Sequence, residues 1–121
     1  MATEKRITGN LGEDFAGNYF KKKGFSVVRN YHSRYGEIDI IAENEEHVLF
    51  VEVKTRKAET TVSPAEAVDI KKQKKICLTA TDYMSKRGCE KQPRFDVFEV
   101  WQINGRIYKF NHIEAAFDYV E

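Results

Sequence analysis

An α/β domain is the fold the sequence predicts, with a mixed five-stranded sheet flanked by helices in the order α-β-β-β-α-β-β-α. Three observations predict it. Apolar residues at helical spacing near the N-terminus give way to three short β-rich runs; Ser63-Pro64-Ala65-Glu66 announces a long second helix; and Asn104-Gly105 divides two further β-rich runs.

Ile7, Leu11, Phe15 and Tyr19 recur on one side of a helix, with Phe20 beside them and Gly24 as its C-terminal stop. Phe25 to Tyr31 reads as the first strand, His32 to Tyr35 as a turn, Glu37 to Glu43 as the second strand and His47 to Lys54 as the third, together a meander. Residues 55 to 62 are polar. Ser63-Pro64-Ala65-Glu66 is a capping box with proline at the first helical position, so a helix is expected from there to about Lys86. Its apolar side holds Val68, Ile76, Ala80 and Tyr83, its lysines 71, 72, 74 and 75 face outward, and Gly88 ends it. A helix of that length permits a parallel crossover. Phe95 to Trp101 and Arg106 to Phe110 are the last strands, joined at the Asn-Gly turn, and a short helix over His112 to Tyr119 is expected to close the domain.

The 121 residues fit a single domain, 1–121. With 20 Lys and Arg against 19 Asp and Glu the net charge is +1, so any nucleic-acid binding must come from local clusters such as Lys21-Lys22-Lys23, Lys54 to Lys57 and Lys71 to Lys75. Cys77 and Cys89 form neither a metal-ligand spacing nor a disulfide framework, which favours a reduced setting. The N-terminus lacks the apolar core of a signal peptide, and no apolar run approaches the ~20 residues of a bilayer span. A cytoplasmic, membrane-free protein is expected.

The chemistry is concentrated in Gly36-Glu37-Ile38-Asp39-Ile40-Ile41 and Phe50-Val51-Glu52-Val53-Lys54, where acids and a lysine interrupt strands that should be apolar. If Glu43 pairs with Val48, Asp39 falls opposite Glu52 and Glu37 opposite Lys54. Carboxylates ~5 Å apart on one face repel each other, and a cation relieves them. Asp39 and Glu52, with the Val53 carbonyl, are therefore candidate ligands for Mg2+ or Mn2+. Lys54 shares a face with Glu52 because strand side chains alternate, and an ammonium there can orient a water or offset charge on a phosphate. Hydrolysis of a nucleic-acid backbone follows. The competing reading makes Asp39 and Glu52 partners of Lys54, Arg56 or Arg94 in structural ion pairs. Glu13 is either solvated or a third acidic ligand. Glu37 is a further ligand or, more simply, the partner of Lys54 or Arg34. Arg29, His32 and Arg34 flank the turn before the acidic strand, and Lys72, Gln73 and Lys75 can track a phosphate backbone; the alternative for each is ordinary solvated surface.

Asp39 with Glu52-Val53-Lys54 resembles the signature of the PD-(D/E)xK nuclease superfamily. Gly12-Glu13, Arg29-Asn30-Tyr31, Gly36 to Asp39, Phe50 to Arg56, Lys72-Gln73 and Arg94-Phe95-Asp96-Val97 extend the likeness over nearly the whole chain. Together they resemble the bacterial YraN-like family of predicted endonucleases, distantly similar to archaeal Holliday junction resolvases. The resemblance implies a restriction-endonuclease-like fold, Glu13 as the helical acid of the site, Asp39 and Glu52 as metal ligands, Lys54 as the catalytic lysine, and Arg56 among the residues facing nucleic acid. Ile38 stands where the superfamily's name has proline, and no ligand is lost by it. By the same likeness the substrate is DNA, branched or single-stranded, and the working unit a homodimer. A noncatalytic nucleic-acid-binding module on the same fold is the alternative.

Overall fold

The computed structural model describes residues 4–57 and 68–120. Helix α1 (Glu4–Lys22) leads into strands β1 (Ser26–Ser33), β2 (Gly36–Glu43) and β3 (His47–Lys57), followed by helix α2 (Ile70–Arg87) and strands β4 (Gln92–Ile103) and β5 (Arg106–Phe117). The sheet runs in the order β1-β2-β3-β4-β5. β3 and β4 are parallel and the other neighbours antiparallel. This is the mixed sheet the sequence predicts, with α2 as the crossover, and its strand order is consistent with a small nuclease-like fold.

Alternation sorts the sheet residues onto two faces. Leu49 and Val51 join Ala16 and Phe20 of α1, with Phe98 and Val100 of β4. Val48 and Phe50 join Ile76, Ala80 and Tyr83 of α2, with Phe95 and Val97. Phe20, Phe50 and Phe98 are fully buried, and each such ring contributes about 1.5–3 kcal/mol of transfer free energy. No helix of the described residues is long and apolar enough to cross a membrane.

Two helix expectations are corrected. The described α2 begins at Ile70, with Asp69 as N-cap: its backbone is extended and its carboxylate accepts the Lys72 N–H at 2.8 Å. The capping box at Ser63 to Glu66 lies outside the described residues. Gly88, with φ 61, ends α2 by donating to the last-turn carbonyls, as only a residue free of a Cβ does cheaply. The second correction concerns residues 112 to 117, which are strand and not helix. His112 pairs with Phe98, Ile113 with Val97 and Phe117 with Phe95. The buried Asp96 carboxylate, opposite the extra residues 114–116 of an irregularity in β5, takes the Ala115 N–H at 3.0 Å and pairs with His112 Nε2 at 2.7 Å, and Phe117 stacks on Phe95. These long-range bonds override the helix propensity of Glu114-Ala115-Ala116. At the β4–β5 turn Asn104 and Gly105 both adopt positive φ, as the tight hairpin expected from that dipeptide requires.

Candidate metal centre

The register of the central hairpin is the expected one, with Glu43 opposite Val48 and Ile40 opposite Val51. Paired backbone stops there. At the next position the Asp39 side chain takes over, its Oδ2 accepting the Val53 N–H at 2.8 Å. Since the N–H and C=O of a strand residue point to the same edge, the Val53 carbonyl leans toward β2 beside Asp39. Ile38 packs in the α2 core and Ile40 in the α1 core, although strict alternation would put both on one face. The break falls at Asp39, and the β1 residue across from it, Asn30, is skipped by the ladder and adopts φ 54. This double irregularity leaves Asp39 between the two helices, reached by Glu13 of α1 and by Lys72 of α2.

Gly12 brings Glu13 close. A Cβ there would meet Thr55 Oγ1 at 2.7 Å and Val100 Cγ2 at 3.1 Å, so only glycine lets α1 lie this near β3. Glu13 is mostly buried, with Arg29 Nη2 3.5 Å from its Oε1, and that oxygen has no hydrogen-bond partner among the described residues. Burial and the charge of Asp39 raise the Glu13 carboxyl above its ordinary value, against the Arg29 guanidinium and a hydrogen bond from Asn30. Asp39 itself is pushed up to about 7 by burial, then by its hydrogen bond with Glu52 and that residue's charge; the Val53 N–H and Lys72 act in the opposite sense. Acids crowded until one holds a proton, and one buried oxygen without a donor, are what a hard divalent cation resolves, so the oxygen donors present fit Mg2+ or Mn2+. Among the described residues no three side chains of His, Cys, Asp or Glu form a finished ligand cage. The acids instead form two overlapping pairs, Glu13–Asp39 and Asp39–Glu52.

The structural ion pairs that competed with this reading have other members. Arg56 Nε lies 3.3 Å from Oε2 of fully buried Glu99, and Arg94 grips Asp96 through two 2.8 Å hydrogen bonds. Lys54 is half-buried, pairs in register with Glu99 on β4, and makes no ion pair among the described residues. Glu37 turns away from the site: it is exposed and lies 3.3 Å from His32, so the expected pairing with Lys54 or Arg34 is not formed. Among the remaining candidates, Arg29 is held by Glu13 and Asp14, and Arg34 lies over the Tyr35 ring and donates to its hydroxyl. Lys75 is exposed beside Gly36. Gln73 donates through Nε2 to the Val68 carbonyl, bracing the start of α2. Lys72 Nζ lies 3.6 Å from Glu52 Oε2. Arg56 is largely buried against Glu99, with its side chain 13% exposed. An apolar groove of about 370 Å³ between α2 and β4, lined by residues such as Met84, Cys89 and Phe95, contains none of Glu13, Asp39 and Glu52.

Sequence reasoning assigned no role to Asn30, which supports Glu13 from a left-handed backbone position. The available signal was an asparagine inside a β-rich run, the residue that tolerates that conformation best after glycine.

Residues 12–100 match the model of the family described as Uncharacterised protein family UPF0102. The chain is similar to UPF0102 protein TTE1452 of Caldanaerobacter subterraneus subsp. tengcongensis, 40% identical over 93% of this chain and 96% of that one. It is likewise similar to UPF0102 protein CD630_12710 of Clostridioides difficile, 44% identical over 90% and 95% of the two chains. A relative in Desulforapulum autotrophicum is 40% identical over 97% and 98%.

Proposed function

The chain belongs to the UPF0102 family, and from that premise we propose that it is a divalent-metal-dependent endonuclease hydrolysing phosphodiester bonds of DNA. The observation that carries the reading is Asp39: a carboxyl held between Glu13 and Glu52, fixed to the Val53 N–H, in a place where the arginines able to neutralise it are bonded elsewhere. Arg29 beside Glu13 and Lys72 beside Glu52 leave three acids to two bases, and an excess of buried acid that destabilises a fold persists where a ligand uses it.

Glu13, Asp39, Glu52 and the Val53 carbonyl would hold Mg2+ or Mn2+, which when bound supplies Lewis acidity at a phosphoryl oxygen and acidifies a water. Lys54, on the face of Glu52 and without a carboxylate partner among the described residues, orients the attacking water and balances the charge gathering on the phosphate. The Val53 N–H holds one oxygen of the Asp39 carboxylate and leaves the other for the metal. Exposed Lys75 and the Arg34–Tyr35 pair offer contacts to a polymer passing over the site. The resemblance to resolvases directs the choice of substrate to branched or single-stranded DNA in repair or recombination, and of the working unit to a homodimer.

The test is cleavage of single-stranded, duplex, flapped and four-way-junction DNA with Mn2+ by the wild type and Asp39→Asn. Cutting of at least one substrate that disappears in the variant is expected. Equal cutting by both, or none on any substrate, overturns the catalytic reading, and metal-independent binding of the same DNAs would make the chain a binding module.

A further inference from the structure

We propose that Lys72 is a resident counter-cation of the acid site, displaced from Glu52 when a divalent metal binds and thereby released to grip a phosphate. Metal loading and hold on nucleic acid are then coupled through one side chain. The inference rests on the metal-site reading above and specifies how that site is regulated.

Four observations support it. Lys72 Nζ is 3.6 Å from Glu52 Oε2, on a carboxylate that is only 10% exposed, while the lysine side chain is 40% exposed and has room to leave. Its charge also reaches Asp39, where it favours the ionised carboxylate. The backbone at Lys72 is pinned: its N–H is bonded to Asp69 Oδ1, the next N–H to the Asp69 carbonyl at 2.9 Å, and the Gln73 amide to Val68. Any movement therefore belongs to the flexible four-carbon stem of the lysine. Finally, Lys72 alone of the lysines in the first two turns of α2 forms an ion pair among the described residues, whereas 71, 74 and 75 are exposed.

A divalent cation on Glu52 and Asp39 takes the carboxylate that holds the ammonium and repels the ammonium at a few ångströms. Once released, Lys72 sits at the start of a helix with Lys71 and Lys75 nearby, a place suited to a phosphate of the strand being positioned. Before metal arrives, the same lysine offsets part of the repulsion among the acids.

Calorimetric titration with Ca2+ or Mn2+ in the absence of DNA reads the first half directly, on wild type, Lys72→Gln and Glu52→Gln, with thermal melts to confirm folding. Lys72→Gln is expected to bind metal roughly tenfold more tightly, since a competing charge is gone. Fluorescence anisotropy of a labelled single-stranded or junction oligonucleotide, with and without Ca2+, reads the second half. Ca2+ should tighten binding by both proteins, since a cation on the acids itself faces phosphate, but the salt dependence of wild type should steepen by about one phosphate contact more than that of Lys72→Gln, and the affinity lost in the variant should be larger with Ca2+ than without. Unchanged or weaker metal affinity in Lys72→Gln overturns the inference, as does an equal loss of DNA affinity with and without metal. If Glu52→Gln abolishes metal binding in those same cases, only the role of Lys72 fails. If wild type binds no metal, or Glu52→Gln binds it as well as wild type, the site reading and the inference fall together.

Discussion

Asp39 keeps a proton that an exposed aspartate would have released. Its carboxyl is pushed up to about 7 by burial and by Glu52, from an ordinary 3.8. The folded state therefore binds more protons than the unfolded state between those values, and stability falls as pH rises from about 4 through about 7. Asp39→Asn removes the charge that causes the loss. It is expected to be more stable than wild type at pH 8 by on the order of 2 kcal/mol, with the difference shrinking toward pH 4. Urea unfolding across that range checks it, and parallel wild-type and variant profiles would refute the assignment. Lys54 should show the opposite economy: Lys54→Ala lowers turnover by about 10²–10³ while DNA affinity stays within a few-fold, because the group acts on charge that develops only during reaction. Single-turnover cleavage and anisotropy separate the two effects. Spacing made Asp39, Glu52 and Lys54 legible as neighbours on two adjoining strands, whereas Glu13, solvated or a ligand by its position alone, was assigned to the site only through the family resemblance, and the break in alternation at Asp39 was not foreseen. Nor was Asn30, because its part depends on a left-handed backbone that no spacing reveals. The pairing of Glu37 with His32 was missed because the paired backbone of β2 and β3 ends at Ile40 and Val51, before Glu37 reaches Lys54.

Helix α1 delivers Glu13 only because Gly12 allows it to press on β3 and β4. Glycine to alanine in a helix interior ordinarily gains up to about 1 kcal/mol. Here the added methyl meets Thr55 and Val100, and overpacking costs about 1–3 kcal/mol. Gly12→Ala is thus expected to be neutral to destabilising in melts and to weaken metal binding although every ligand remains. Adding Thr55→Ala, which removes the nearest atom, should recover part of both; metal affinity identical to wild type in Gly12→Ala would show that the close approach does not set the position of Glu13. At this scale the sequence was a good guide where the signal was local. Gly24, Gly88 and Asn104-Gly105 marked true ends and turns, and Ile76, Ala80 and Tyr83 are buried as their spacing implied, while Val68 is buried from a position ahead of the helix. It misled over residues 112 to 117, where a locally helical composition is held as strand by Asp96 and Phe95, some twenty residues earlier in the chain. The aspartate at 69, to which the sequence reading gave no role, caps the described helix, while the motif at 63 to 66 lies outside the described residues.

Across the whole molecule, two buried aspartates pull stability in opposite directions. Although burial opposes it, hydrogen bonds from His112, Arg94 and the Ala115 N–H hold the Asp96 carboxyl below its ordinary value. Its contribution is present above the unfolded value near 3.8 and disappears as pH falls through the lower folded one. Asp39 works the other way, so the metal-free protein should be most stable in mildly acid solution, where Asp96 is ionised and Asp39 still protonated. A divalent cation changes the balance, because it binds the folded state and requires Asp39 to give up its proton. Stabilisation by saturating Mg2+ should therefore be small at pH 5, grow through pH 7 and level off by pH 8, moving the optimum toward neutrality; EDTA should return it. Thermal melts of wild type over pH 5–8, with Mg2+ and with EDTA, measure this directly, and Asp39→Asn should lose most of the response. An equal rise in Tm at pH 5 and pH 8, or a full response in the variant, would mean that the cation binds elsewhere and that the buried acids serve the fold alone.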